Sequence, residues 1–445
     1  MSTAVNRPGP DDFWWGVATA AYQIEGGARE DGRGRSIWDT FCERLGVIAD
    51  GSSGAVACDS YHRWTEDLDL VAGLGADAYR FSIAWPRIQP DGRGPANPAG
   101  LAYYDRLVDG MLERGVAPVA TLFHWDLPQA LQDDGGWMER GTAERFAEYA
   151  ALVADALGDR VAAWCTLNEP FVHMGFGYAF GIHAPGEARM LDAFAAGHHQ
   201  LLGHGLATSA LRTASDAPVA LVNNCTPVEA ASDSDEDGTA AAAYDAFHNG
   251  MFLDPVLLGR YPDALAALAD GVVRDGDLTT IAQPLDLLGI NYYNPTRIAA
   301  PEGDDPLPFA IVPIEGVPRT GFDWPVVPSG LTDLLVGLRD RYGAALPPIL
   351  VTENGCAYPD GADAPPYDDV ERIGFLDGHI AAVGAAREVG VDVRGYFCWS
   401  LLDNFEWAEG FTQRFGLVHL DLATQDRTPR ASYGWYRDRI ARAWS

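Results

Sequence analysis

Val161-Ala162-Ala163-Trp164-Cys165-Thr166-Leu167-Asn168-Glu169-Pro170 reads as a short buried strand that ends in a glutamate and is stopped by proline. Far downstream, Ile349-Leu350-Val351-Thr352-Glu353-Asn354-Gly355 has the same plan, with glycine as the stop. β-Branched and aromatic residues favour extended backbone, while Pro170 and Gly355 end it. Each run therefore sets a carboxylate where a strand meets its loop. A lone strand-end glutamate is ordinarily a solvated residue. Two that converge on one pocket can divide the roles of acid and nucleophile.

Working outward, similar runs recur along the chain. They are Trp14 to Thr19, Asp77 to Ser82, Pro118 to Phe123, Val161 to Leu167, Pro218 to Val222, Leu285 to Ile290, Pro348 to Thr352 and Gly395 to Trp399. Most are short and apolar throughout, as parallel strands covered on both faces require. Segments of helical periodicity lie between them: Tyr61 to Leu74, Leu101 to Arg114, Thr142 to Leu157, His198 to Arg212, Leu331 to Tyr342 and Asp369 to Val389. Eight strand–helix alternations predict an α/β fold, a single (β/α)8 TIM barrel with long loops at the C-terminal face of the strands. An open doubly wound sheet is the other arrangement, but no glycine-rich phosphate turn follows an early strand. With no linker or composition break, residues 1–445 read as one domain, 1–12 being a loose N-terminal arm. Asn223 to Gly238 reads as a longer insertion, and its acidic, Ser-rich stretch Ser232 to Asp237 as a solvated loop. Pro295 to Pro328 is too long for a bare connector and reads as part of a pocket wall.

Composition excludes several functions. The formal charge of −32 over 445 residues disfavours nucleic acid and anionic membranes as partners. The chain contains no lysine, so Schiff-base chemistry and a Walker-type phosphate loop are out. Genomic base composition is the plain explanation for arginine replacing lysine. Cys42, Cys58, Cys165, Cys225, Cys356 and Cys398 are scattered, without metal-ligand spacing, and read as small core residues in a reducing compartment. A metal-dependent barrel would have to draw on His124, His173, His183, His198, His199 or His204, and none has a nearby carboxylate in ligand spacing. Neither a leader peptide nor a membrane-length apolar run is visible. The expectation is a cytoplasmic protein needing no cofactor or metal, monomeric or homo-oligomeric.

In such a barrel the chemistry gathers at the C-terminal strand ends. Strand one is followed by Tyr22-Gln23-Ile24-Glu25-Gly26, and strand two carries Arg80. Strand three ends in His124-Trp125-Asp126, strand four in Asn168-Glu169 and strand five in Asn223-Asn224. Strand six ends in Asn291-Tyr292-Tyr293, strand seven in Glu353-Asn354, and strand eight in Trp399, with Glu406-Trp407 beyond it. Amides, an imidazole, carboxylates and indoles around one cavity suit a sugar ring, whose hydroxyls want polar partners and whose C–H face wants an aromatic plate. Taken singly, each has an ordinary structural reading; their joint placement carries the functional one.

The longer motifs are Ala21-Tyr22-Gln23-Ile24-Glu25-Gly26, Tyr79 to Trp85, Phe123-His124-Trp125-Asp126-Leu127-Pro128, Thr166 to Pro170, Asn291-Tyr292-Tyr293, Thr352 to Gly355 and Trp399 to Trp407. On these, from Phe13 to about Trp435, the chain resembles a β-glucosidase of glycoside hydrolase family 1. The resemblance implies retaining hydrolysis of terminal β-D-glucosyl residues from small β-glucosides and cello-oligosaccharides. Glu353 would be the nucleophile and Glu169 the acid/base, about 5 to 5.5 Å apart. It further implies that Arg80 and Tyr293 hold Glu353 ionised and that Asn168 takes the sugar's 2-hydroxyl. Gln23, His124, Trp125, Asn291, Glu406 and Trp407 would bind the glycone, with Trp399 as its platform and Trp324 on the leaving-group side. Relatives that cleave phosphorylated sugars place a Ser and a Lys near the eighth strand, in the region Glu406 fills here, and plant thioglucosidases have Gln at the place of Glu169, so an unphosphorylated O-glycoside is the expected substrate. Activity on β-galactosides or β-fucosides and transglycosylation are the alternatives, with a non-catalytic sugar-binding barrel the distant one.

Overall fold

The computed structural model describes residues 12–303, 307–359 and 368–443; most of the expected N-terminal arm lies outside these. Eight parallel strands close into a barrel. In chain order they are β1 (Trp14–Ala18), β2 (Ala78–Ser82), β3 (Ala117–Phe123), β4 (Ala163–Asn168), β5 (Val219–Asn224), β6 (Leu287–Asn291), β7 (Ile349–Asn354) and β8 (Val393–Trp399). Each strand pairs with its sequence neighbours, and β1 pairs with both β2 and β8, which closes the ring.

The strands are apolar throughout because both faces are covered. One face of each fills the barrel, with Trp14, Ala78, Val119, Cys165, Val222, Leu350 and Phe397 among the inward residues. The alternate residues, such as Trp15, Tyr79, Leu122, Trp164, Ile290 and Tyr396, pack against the helices. Phe397 fills the barrel so fully that a Cβ on Gly16 would lie 2.4 Å from its ring. The expected helices are present within a few residues of their ends. In Pro98–Glu113 the Asn97 side chain accepts the Ala99 N–H and proline takes the first turn, while Tyr103, Tyr104, Leu107, Val108 and Met111 face inward. A further helix, Ala431–Arg442, follows β8.

The β5–β6 region departs from expectation. Ser232 to Asp237 is largely exposed, as expected, but only its first half is loop: the Ser234 side chain accepts the Asp237 N–H and caps the helix Asp235–Asp245, whose first turn carries Asp235, Glu236 and Asp237. Those acids suit the positive end of a helix. Just before it, Val228–Ala230 pairs with Thr296–Ala299, which pairs in turn with Ala310–Val312. This small sheet stands above the C-terminal rim. Among the described residues no helix is long and apolar enough to cross a membrane.

Candidate active site

Two strand irregularities aim the carboxylates. Between β4 and β5 the register shifts between Cys165 and Asn168, and between β7 and β6 it shifts between Val351 and Glu353. Such bulges re-aim side chains at barrel rims. Glu169 lies in the left-handed region at φ 45°, as do Trp125 at 72° and Trp407 at 47°. Three non-glycine residues held in this sparsely populated conformation at one rim mark a site whose surroundings impose it. Gly355 admits no side chain, since its Cβ would lie 1.7 Å from the Trp399 carbonyl oxygen.

Inside the rim a directional hydrogen-bond network joins the two acids. The guanidinium of Arg80 donates through Nη1 to Glu353 Oε1 at 2.5 Å, through Nη2 to Asn168 Oδ1 at 2.7 Å and through Nε to Thr121 Oγ1 at 3.1 Å. Tyr293 donates its hydroxyl to the other oxygen of Glu353 at 2.8 Å. Asn291 Nδ2 donates to Glu169 Oε1 at 2.7 Å and to Asn168 Oδ1 at 3.1 Å, while its Oδ1 accepts from Thr352 Oγ1 at 2.7 Å. Because Arg80 can only donate, Asn168 must present its oxygen there, and its amide then faces His124 Nε2 at 3.1 Å. Burial and the Arg80 charge push the His124 pKa well down, so this imidazole is neutral and accepts.

The two carboxyls differ in partners and hence in charge. Glu169 and Glu353 are 4% and 3% exposed. Burial, then the charge of Glu353, raise the Glu169 pKa to about 8, opposed by Asn291 and Arg80. Burial raises Glu353 too, against the pull of Arg80, Tyr293 and Asn291. The cation sits against Glu353, so the proton shared by the pair belongs to Glu169. Glu406 is pushed up to about 8 by burial and by both neighbouring acids.

A cavity of about 890 Å³ opens above this network. Nine of the expected site residues line it, His124, Trp125, Glu169, Tyr293, Trp324, Glu353, Trp399, Glu406 and Trp407, as do Asn224 and His183. Arg80, Asn168, Asn291 and Gln23 stand behind them. Two expectations change in detail. Trp125 gives its only donor to the Asn168 carbonyl at 2.8 Å, so it offers the cavity an apolar face rather than a bond to a hydroxyl. The carboxamide of Asn291 is engaged with protein groups, which makes it a partner of the acids more than of a sugar. Gln23 donates to Asn404, Phe405 and Glu406, and its buried Oε1 has no partner among the described residues. Glu25, in the same motif, is outside the site: it pairs with buried Arg87 at 3.0 Å and accepts from Tyr104.

The sequence reading missed Phe176, Phe180, Ile182 and Phe247, which with Phe309 and Ile311 form an apolar outer wall of the cavity. The stretch from Pro295 to Pro328 does wall the pocket, through Thr296, Leu307, Phe309, Phe322 and Trp324 among others. His198, His199 and His204 are tied to Asp277, the Trp137 carbonyl and Thr166, away from the cavity.

A closed (β/α)8 barrel with two differently partnered glutamates at one sugar-sized cavity defines the class, a two-carboxylate glycoside hydrolase. The model of Glycosyl hydrolase family 1 matches residues 5–443, and the chain belongs to this family. It is 50% identical to the thermostable beta-glucosidase B of Thermobispora bispora, covering 97% of this chain and 90% of that protein. It is 44% identical to the bifunctional beta-D-glucosidase/beta-D-fucosidase of Bifidobacterium breve, covering 97% and 98%. The family 1 b-glucosidase from Thermotoga maritima superposes with a TM-score of 0.93 at 40% identity, covering 98% of each chain.

Proposed function

We propose that the chain is a retaining β-glucosidase that removes terminal β-D-glucosyl residues from small β-glucosides, with Glu353 as nucleophile and Glu169 as acid/base. The observation that carries this is the unequal company of the two acids, Arg80 on Glu353 and the amide donors of Asn291, at 2.7 Å, and Asn224, at 3.5 Å, on Glu169. Glu353 attacks the anomeric carbon as Glu169 gives its proton to the glycosidic oxygen; that C–O bond breaks and the aglycone leaves as an alcohol. In the resulting ester Glu353 carries no charge, so the repulsion that raised Glu169 is gone. Glu169 then ionises readily and takes a proton from the water that attacks the anomeric carbon, releasing β-glucose and restoring Glu353.

Asn168 retains an amide hydrogen for the sugar's 2-hydroxyl. Gln23 Oε1, His124 and Glu406 supply further polar contacts, with Trp399 and Trp407 as apolar plates and Trp324 towards the leaving group. The relative that also takes fucosides supports β-fucoside cleavage as a second activity. Free cysteines throughout the described chain support work in the cytoplasm, and the unbroken strand–helix alternation supports one domain over residues 1–445. Glu353→Gly tests the assignment: hydrolysis of nitrophenyl β-glucoside is expected to vanish, and nitrophenol release to return with added azide, which takes the place of the carboxylate and leaves on the sugar as a glucosyl azide. Full activity without azide would remove Glu353 from the mechanism.

A further inference from the structure

Thr352 precedes the nucleophile on β7 and is fully buried inside the barrel. It meets both groups that control the two acids. Its backbone carbonyl accepts from Arg80 Nη1 at 3.3 Å, and its hydroxyl donates to Asn291 Oδ1 at 2.7 Å. The amide end of that same carboxamide reaches Glu169 at 2.7 Å and Asn168 at 3.1 Å. The polarity of this chain of bonds comes from Arg80, a pure donor, acting through Asn168 Oδ1. A hydroxyl can turn either way, so Thr352 does not choose which end of Asn291 faces the acids. It does two other things. It pins the buried carbonyl end, which fixes the amide plane, and its donation polarises the carboxamide and strengthens the N–H bond to Glu169.

We propose that Thr352 is a positioning residue for the acid/base: through Asn291 it holds one donor on Glu169 and thereby sets how readily that group gives and regains its proton. Thr352 itself touches neither sugar nor reacting atoms. A methyl group in place of the hydroxyl leaves the Asn291 carbonyl buried without its donor, and the carboxamide is then free to rock about its last torsion. Glu169 loses a bond that favours its charged form. The charged and titratable groups facing Glu169 are Glu353, Arg80, Tyr293, Glu406 and Cys225. None of these contacts runs through the Thr352 hydroxyl, so their effect on Glu169 is common to the enzyme and its variants.

The inference rests on the roles given above to Glu169 and Glu353. Its test is the pH dependence of kcat/KM on nitrophenyl β-glucoside for the wild type, Thr352→Val and Thr352→Ser. Valine keeps the shape and serine keeps the hydroxyl. Thr352→Val is expected to lose about tenfold or more in kcat/KM, mostly in kcat, with its alkaline limb moved upward. Thr352→Ser is expected to stay within about threefold with the limb in place. Thr352→Ala reads the same loss of hydroxyl should the valine variant not fold. An unmoved limb in the hydroxyl-less variant, or a serine variant that falls as far as valine, overturns the proposal; the latter would make the methyl group's packing the cause. A wild type inert on every nitrophenyl β-glycoside would instead overturn the glycosidase reading beneath it.

Discussion

Arg80 and Glu353 meet inside the barrel, guanidinium Nη1 to carboxylate Oε1 at 2.5 Å, with both side chains almost wholly buried. The charge of each is tolerable there only because of the other. Nη1 also reaches the Thr352 carbonyl, and the remaining nitrogens of Arg80 hold Asn168 and Thr121, so one planar cation organises the floor of the site.

On the proposed assignment, removing that cation leaves Glu353 to take up a proton and lose its nucleophilicity. Arg80→Met is expected to lower kcat/KM by about 10³-fold or more, with the acidic limb of the profile moved upward. Arg80→Lys keeps the charge, but a point-like ammonium cannot reach these partners together, and a loss of about 10²-fold is expected. Steady-state kinetics from pH 4 to 9 check both, and a lysine variant close to wild type would contradict the account.

The acid/base must hold its proton, so kcat/KM is expected to fall as pH rises through about 8, the value to which burial and Glu353 push Glu169. Stability follows the same groups. Glu169 and Glu406 have folded pKa values of about 8, above the roughly 4.3 of an unfolded glutamate. The stability each contributes is fully present below about 4.3 and is lost as pH rises through about 8. Thermal unfolding from pH 5 to 9 is expected to show a falling Tm, less steeply so in Glu406→Gln. An equally steep fall in that variant would show that Glu406 is not among the groups responsible.

The apolar outer wall, Phe176, Phe180, Ile182, Phe247, Phe309 and Ile311, is expected to favour hydrocarbon aglycones over sugars. Alkyl glucosides test this with the leaving-group chemistry held nearly constant. From butyl to octyl, kcat/KM is expected to rise by up to about fourfold per added methylene, since burying one is worth about 0.8 kcal/mol. Ile311→Asn together with Phe309→Ser should flatten the rise while leaving methyl glucoside unchanged. A flat wild-type series, with cellobiose the best substrate, would assign this wall to something else.

Glu25 belongs to a motif of the site but supports the fold. Its carboxylate is the ion partner of fully buried Arg87, and Tyr104 donates to it as well. Glu25→Ala leaves the guanidinium unpaired and is expected to cost about 3 to 5 kcal/mol of stability. Denaturant unfolding measures that, while KM of the enzyme that remains folded should hold. A changed KM at unchanged stability would place Glu25 in the sugar site instead.

The barrel was legible because strands buried on both faces read as bare apolar runs such as Val161 to Leu167, with helical spacing between them. The polar residues were legible for a related reason: Arg80 lies within, and His124, Asn168 and Glu353 at or next to the ends of, strands that are otherwise hydrophobic, where such side chains need a purpose. The outer wall was not, since Phe176 or Phe247 looks like any core aromatic until the loops are placed. The helix at Asp235–Asp245 was hidden by its acids, which read as loop but lie at the helix end that favours negative charge. Glu25 shows the converse fault. Neighbours in a motif can serve separate ends, and only Arg87, 62 positions away, shows which.

The most direct measurement of the central claim is the anomeric form of the sugar first released from nitrophenyl β-glucoside, followed by proton NMR before mutarotation. Double displacement between Glu353 and Glu169 gives β-glucose first, with the α form appearing later. α-Glucose as the first product would mean direct attack by water and would contradict the account.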